Sequence, residues 1–189
     1  AAGVKRVHKD AICFNIAGDG SLGAIGAGHV VNVMMRSDPI TTIFFNNSGY
    51  GMTGGQVAPT TLAGLRTTTT PEGRDVKKTG YPLHLSEMAA TMPGTAYAAR
   101  VSVHTPANFQ KTKKAIKTGF KKQIDGVGYS MVEILCACPT DWGLSPLAAN
   151  KFVDEKLIAE FPLGEYKNVD KIEYTVDPEV NKVGRIKRG

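Results

Sequence analysis

Apolar residues in this chain follow two rhythms. The run Ala11-Ile-Cys-Phe-Asn-Ile-Ala17 is almost continuously apolar and stops at Gly18-Asp19-Gly20, as a strand buried on both faces does when it feeds a tight turn. A helix is expected to open from that turn, because Ile25, His29, Val30 and Val33 recur at helical spacing as far as Arg36. Ser37-Asp38-Pro39 breaks the period, and Ile40-Thr-Thr-Ile-Phe-Phe45 reads as a second buried strand. Strand, helix and strand at these lengths predict a parallel pair joined by a right-handed crossover. Any ligand site then lies outside the carboxyl ends of the strands, where Asp19 and Asn47 stand.

From Ser48 to Gly80 the chain is rich in Gly, Thr and Pro, carries Thr67 to Thr70 in a row, and sustains neither period. A long loop of that kind is usually functional. Alternation resumes with Ala96 to Val103 as a strand, a lysine-bearing helix from about Pro106, and Ser130 to Leu135 as another strand. Ser145-Pro146 has the form of an N-cap followed by proline at the first helical position, opening a helix to about Glu160. The tail from about Phe161 is polar and basic, and its order is left open. With no internal repeat and no linker composition, residues 1–189 are expected to form one α/β domain, a mostly parallel sheet with helices on both faces.

Composition narrows the class. Hydrophobic residues make up 42% and charged residues 21%, which excludes a disordered or fibrous chain. No apolar run approaches a bilayer span, and Ala1 to Asp10 lack a secretory signature, so no membrane role and a cytoplasmic location are expected. Three cysteines, Cys13, Cys136 and Cys138, make a poor disulfide framework and point to a reducing compartment. The net charge of +6 would suit nucleic acid, an anionic cofactor or an acidic protein. Lysines from Lys111 to Lys122 accompany an apolar stripe of Phe109, Ile116, Phe120 and Ile124, which reads first as a solvated helix face. An acidic docking protein is the alternative; with no aromatic stacking platform beside the lysines, nucleic acid is not expected.

Chemistry enters with Gly18-Asp19-Gly20 closing one strand and Asn46-Asn47 closing the next, Asp19 and Asn47 lying 28 residues apart. Alone, Gly-Asp-Gly is a plain strand-to-helix turn; the paired asparagines one crossover later change that. Mg²⁺ takes near-octahedral oxygen ligands and commonly combines one or two side-chain oxygens with phosphate and water. The flanking glycines let the backbone approach a diphosphate, and a helix starting near Ser21 offers free N–H groups and a positive dipole end.

These motifs resemble the metal and diphosphate signature of thiamine-diphosphate-dependent enzymes. The following segment, Tyr50-Gly-Met-Thr-Gly-Gly-Gln-Val-Ala-Pro-Thr-Thr61, with Arg66 to Pro71, Gly73-Arg74-Asp75 and Cys138-Pro-Thr-Asp-Trp142, is similar to beta subunits of 2-oxoacid:ferredoxin oxidoreductases over essentially the whole chain. The resemblance implies a thiamine-diphosphate-binding fold. It implies Asp19, Asn47 and the Gly49 carbonyl as Mg²⁺ ligands and Gly18, Gly20, Ser21 and Leu22 along the diphosphate. Gly51, Met52 and Thr53 would then stand near the thiazolium, with Met52 holding the cofactor in its bent form. In the family the cofactor attacks the 2-oxo carbon, carbon dioxide leaves, and electrons pass singly to an iron–sulfur cluster before the acyl group reaches coenzyme A. The partners implied are alpha and further gamma or delta subunits, an acidic ferredoxin, the 2-oxoacid and coenzyme A. The acid that activates the aminopyrimidine normally comes from another domain or subunit, so the chain is not expected to act alone.

The sequence also departs from the family. Many beta subunits hold a [4Fe-4S] cluster through N-terminal cysteines and one in a late Cys-Pro motif, which corresponds to Cys138; here the N-terminal cysteines are absent. Four thiolates are the usual ligand set, so a cluster is expected only in the intact complex. A fragment, a split gene and a subunit without a cluster all remain open. Cys136 and Cys13 read as packing residues, His29 as a structural histidine before a catalytic base, and Trp142 as a packing anchor. Gly54 and Gly55 stand where some relatives that take dicarboxylic oxoacids place a basic residue. The loop looks closest to 2-oxoisovalerate enzymes, with 2-oxoglutarate and pyruvate as alternatives. A non-redox thiamine-diphosphate decarboxylase or synthase module and an inactive interaction module are the competing classes.

Overall fold

The computed structural model describes residues 1–174 and 176. Helix α1 (Ala2–Val7) leads into β1 (Phe14–Gly18), followed by α2 (Asp19–Gly23), α3 (Ala27–Arg36) and β2 (Thr41–Asn46). A long loop carries α4 (Val76–Thr79) and reaches α5 (Leu85–Thr91), β3 (Thr95–Ser102), α6 (Pro106–Ile124) and β4 (Tyr129–Leu135). The chain then forms α7 (Pro139–Trp142), α8 (Pro146–Phe152), a π-helical turn (Val153–Leu157), α9 (Ile158–Glu160) and β5 (Gly164–Asn168). The sheet has the order β1-β2-β4-β3-β5, parallel throughout except that β5 runs antiparallel to β3.

Strand sides explain the layers. Ile43, Tyr97, Ala99, Val132 and Ile134 face Ala115 of α6, while Phe44, Ala98 and Met131 face Val30, Met34, Leu85 and Ala89 of α3 and α5. Continuous apolar strands are what a sheet covered on both faces requires. A third cluster of Leu135, Val153, Leu157 and Phe161 seals the carboxyl end of β4. Gln123 accepts from the Cys13 N–H at 2.7 Å and donates to the Cys13 carbonyl and Thr41 Oγ1 at 2.8 Å each, fixing β1 against β2 at their start. That register pairs Gly18 with Phe45, so the two strands end side by side.

Three expectations need correction. The first strand, read as buried on both faces, is the edge strand β1, with Phe14 and Ile16 exposed. The single helix after Gly-Asp-Gly is two, α2 and α3, with Ala24 leaving helical geometry at φ −114°, ψ −89°. A Cβ on Gly26 would lie 2.1 Å from the Ser21 carbonyl, so the close reversal between the helices needs glycine. The stripe on α6 is also shifted: Phe109 and Ile124 are 49% and 64% exposed, whereas Thr112, Ala115, Gly119, Lys122 and Gln123 face inward. The helix opened by Ser145 does run to Glu160, with its middle turn loosened to π geometry. Beyond Phe161, where the sequence shows no period, β5 forms; the rest of the basic tail, residue 175 and residues 177–189, lies outside the described residues. Among the described residues no helix is long and apolar enough to cross a membrane.

Candidate functional site

The parallel ends of β1 and β2 place Asp19 beneath the turn Asn46 to Gly49. Asp19 Oδ1 accepts the Asn47 N–H at 3.3 Å, and Oδ2 accepts the Gly49 N–H at 3.0 Å and the Thr60 hydroxyl at 2.5 Å. Asp19 is only 3% exposed, and among the described residues it has no ion pair. Burial pushes its carboxyl up to about 7, against the pull of the hydrogen bonds from Thr60, Asn47 and Gly49. A cation bound beside a carboxyl so buried would favour its charged form.

The turn itself is tightly sewn. Asn46 Oδ1 accepts the Ser48 N–H at 3.1 Å, and Ser48 takes the left-handed conformation at φ 62°. Ser48 Oγ donates to the Thr60 carbonyl at 3.2 Å and accepts from the Leu62 N–H at 3.0 Å, while Thr61 Oγ1 donates to the Ser48 carbonyl at 2.8 Å. The far side of this loop is gathered by Arg74, whose guanidinium donates to the carbonyls of Ala58, Pro59, Thr61, Thr79, Gly80 and Tyr81. The aperiodic stretch from Ser48 to Gly80 is therefore a hydrogen-bonded structure of its own.

Beyond the turn, Tyr50 to Gln56 closes a small bridged loop, with Gly54 and Gly55 at φ 111° and 78°. The Tyr50 ring lies over Gly20, where an added Cβ would fall 1.7 Å from Tyr50 Cε1. Gly51 is less tightly confined: a Cβ there would meet Cys138 Sγ at 3.0 Å. Cβ atoms on Gly49 and Gly55 would each fall 2.6 Å from the Asp141 carboxylate. Thr53 Oγ1 donates to Gln56 Oε1 at 2.6 Å, and Met52 projects wholly into solvent at 101% exposure. A cleft of about 480 Å³ opens here, lined among others by Ser48, Gly51, Gly55, Arg66, Asp141 and Trp142.

The structure brings together Gly18, Asp19, Gly20, Asn47, Gly49 and Gly51. Ser21 is exposed on α2, whereas the Leu22 side chain is buried in the core. His29 lines a second cleft with Asn15, Arg36 and the predicted diphosphate residues Ser21 and Leu22. Sequence reasoning missed Thr60, which completes the Asp19 shell, and Glu133, whose Oε1 accepts from Asn46 Nδ2 at 2.7 Å. His84 contacts Glu87 and Glu160, and His104 contacts Ser102 and Asp154. Trp142 stacks obliquely on Phe152 at 4.8 Å.

The cysteines do not converge. Cys13 is core, and burial pushes the Cys136 thiol up to about 12, with the Asp19 and Cys138 charges adding to the rise. Cys138 alone adjoins the loop, at Gly51. No group of three His, Cys, Asp or Glu suited to a metal forms among the described residues, so these residues do not fit a [4Fe-4S] cluster by themselves.

Comparison with known proteins places the chain in a family. Residues 1–134 match the family model described as thiamine pyrophosphate enzyme, C-terminal TPP binding domain. Ketoisovalerate oxidoreductase subunit VorA of Methanothermobacter thermautotrophicus is 38% identical over 88% of this chain and 35% of its own length. The 2-oxoglutarate synthase subunit KorB of Methanocaldococcus jannaschii is 32% identical over 92% of this chain and 67% of its own. The chain thus spans about a third of VorA and two thirds of KorB. Its fold matches that of a chain of 2-oxoglutarate:ferredoxin oxidoreductase from Magnetococcus marinus, solved with 2-oxoglutarate, coenzyme A and succinyl-CoA bound. The TM-score is 0.67 at 22% identity, over 97% of this chain and 65% of that one, a likeness of fold. The chain therefore belongs, through a C-terminal cofactor-binding domain of the thiamine pyrophosphate enzymes, to the beta subunits of 2-oxoacid:ferredoxin oxidoreductases.

Proposed function

We propose that this chain is the thiamine-diphosphate- and Mg²⁺-binding catalytic part of a 2-oxoacid:ferredoxin oxidoreductase, converting a 2-oxoacid to acyl-CoA and carbon dioxide once assembled with its partner subunits. The observation that carries the reading is Asp19, a buried carboxyl with no ion pair among the described residues, set against the Asn46 to Gly49 turn. That donor set is all oxygen and carries one acid, which fits Mg²⁺ shared with a diphosphate. Asp19, Asn47 and the Gly49 carbonyl would hold the metal, and Gly18, Gly20, Ser21 and the Leu22 main chain would flank the diphosphate. Gly51, Met52 and Thr53 would border the thiazolium, Met52 gaining cover that the chain alone does not give it.

Bound thiamine diphosphate supplies the electron sink that lets a 2-oxoacid lose carbon dioxide. The protein's own contribution is placement. Thr60 and two backbone N–H groups fix the Asp19 carboxylate, and the glycines let Asp141 and Cys138 approach the cofactor loop. A cluster ligated through Cys138 needs further thiolates from outside the described residues. Coenzyme A and an acidic ferredoxin complete the reaction class.

For the substrate we favour a branched-chain oxoacid such as 2-oxoisovalerate. Gly54 and Gly55 offer no cation to a second carboxylate, and the Asp141 carboxylate beside Gly55 would repel one. VorA is named for ketoisovalerate. 2-Oxoglutarate is the second reading, supported by the KorB name and by Arg66 in the same cleft.

The test is calorimetric titration of thiamine diphosphate into the chain assembled with its partner subunits, with Mg²⁺ and with chelator. Binding should need the metal and weaken at least tenfold in Asp19→Asn with the fold intact. Unchanged affinity in that variant would remove the central assignment.

A further inference from the structure

Glu133 and Arg100 are wholly buried, both at 0% exposure, in the middle of adjacent strands β4 and β3. A glutamate in a sheet centre needs a reason, because a charge there is costly unless paired and hydrogen-bonded. Three donors converge on it. Asn46 Nδ2 donates to Oε1 at 2.7 Å, Ser86 Oγ donates to Oε2 at 2.5 Å, and Arg100 Nε stands 2.9 Å from Oε2. The last contact is too bent for a good hydrogen bond, so charge attraction holds it. Arg100 is anchored from behind by Glu87, with Nη1 at 2.7 Å and Nη2 at 2.5 Å from its two oxygens.

Only a carboxylate accepts from both Asn46 and Ser86 and also answers the Arg100 charge. A glutamine would turn an N–H₂ group toward either Asn46 or the Ser86 and Arg100 side. The Asn46 amide is thus clamped at both ends, its nitrogen on Glu133 and its oxygen on the Ser48 N–H at 3.1 Å. The same turn presents the Asn47 and Gly49 N–H groups to Asp19.

We infer that Glu133, paired with Arg100, is a positioning residue that sets the shape of the Asn46 to Gly49 turn and through it the affinity of the site for its divalent cation. The inference rests on the metal and cofactor reading given above. Glu133 touches neither metal nor cofactor; it acts through Asn46.

The experiment is Mg²⁺ titration of thiamine diphosphate binding in the assembled enzyme, for Glu133→Gln, Asn46→Ala, the double variant and Ser86→Ala, with urea midpoints measured alongside. Glu133→Gln and Asn46→Ala should each raise the apparent Kd for Mg²⁺ at least tenfold. The double variant should be no weaker than the weaker single variant, because both break one linkage. Ser86→Ala, which touches Glu133 without touching Asn46, should lower the urea midpoint and keep the Kd within twofold of the parent. If Glu133→Gln does not fold, Glu133→Gln with Arg100→Met removes the orphaned cation and should show the same loss. Parental Mg²⁺ affinity in a folded Glu133 variant, or additive effects in the double variant, overturns the inference. Absence of metal-dependent cofactor binding in the parent overturns the cofactor reading itself, and this inference with it.

Discussion

Replacing Arg74 by methionine should cost about 3 kcal/mol, and the structure says where that cost arises. Arginine has five N–H donors in a rigid fork, and Arg74 spends them on the carbonyls of residues 58, 59, 61, 79, 80 and 81. Methionine fills most of the space and donates to none of them. Ala58 and Pro59 carbonyls keep other donors, the Thr61 and Leu83 N–H groups. Thr79, Gly80 and Tyr81 are exposed and recover water. Thr61 is wholly buried, so its abandoned carbonyl costs roughly 1–3 kcal/mol, with a further ~1.5 kcal/mol for the lost charge-assisted bonds. With a urea slope of about 2 kcal/mol per M, the midpoint should fall by about 1.5 M. Arg74→Lys, with a point charge and no fork, should fall between parent and Arg74→Met. Cofactor affinity should drop together with stability, because the anchored segment delivers Thr60 to Asp19. A loss under about 1 kcal/mol in Arg74→Met would show that water or neighbouring donors replace the guanidinium, and the hub would be no more than a surface clasp.

Two further outcomes follow from packing and charge. Burial would raise the Glu87 carboxyl, but hydrogen bonds and charge from Arg100 outweigh it and hold the group at about 2; its stabilising contribution is complete above the ordinary carboxylate range and is lost as pH falls from about 4 toward 2. Urea midpoints at pH 7, 4 and 3 should therefore converge between parent and Glu87→Gln on acidification, and a constant gap would contradict the pairing. Gly20→Ala should cost about 1–3 kcal/mol by driving a Cβ into the Tyr50 ring; adding Tyr50→Ala should recover most of it, and failure to recover would place the strain elsewhere.

The parallel core was legible because β1, β2, β3 and β4 are near-continuous apolar runs, and the Asp19 to Asn47 spacing was legible because one crossover has a typical length. β5 was not, since Gly-Glu-Tyr-Lys-Asn at a half-exposed antiparallel edge carries no apolar alternation. The break between α2 and α3 was hidden because Ile25 to Val33 keep the helical period across it, while the reversal depends on Gly26. Thr60 and Glu133 stand 41 and 87 residues from the groups they hold, Asp19 and Asn46, and no local pattern reports such pairings. A glutamate and an arginine within separate strands give no local sign of each other; only the sheet order, which sets β3 beside β4, reveals that they pair in the interior.

The two borders of the sheet differ in their capacity for growth. β5 carries Glu165 and Lys167 and a register shift against β3, features that discourage addition of another strand. β1, Phe14-Asn-Ile-Ala-Gly18, carries no charge, and its Phe14 and Ile16 are largely exposed. Among the described residues the molecule is therefore monovalent for strand addition. Self-association through β1 would close as a two-fold pair, with no second receptive border from which a filament could propagate.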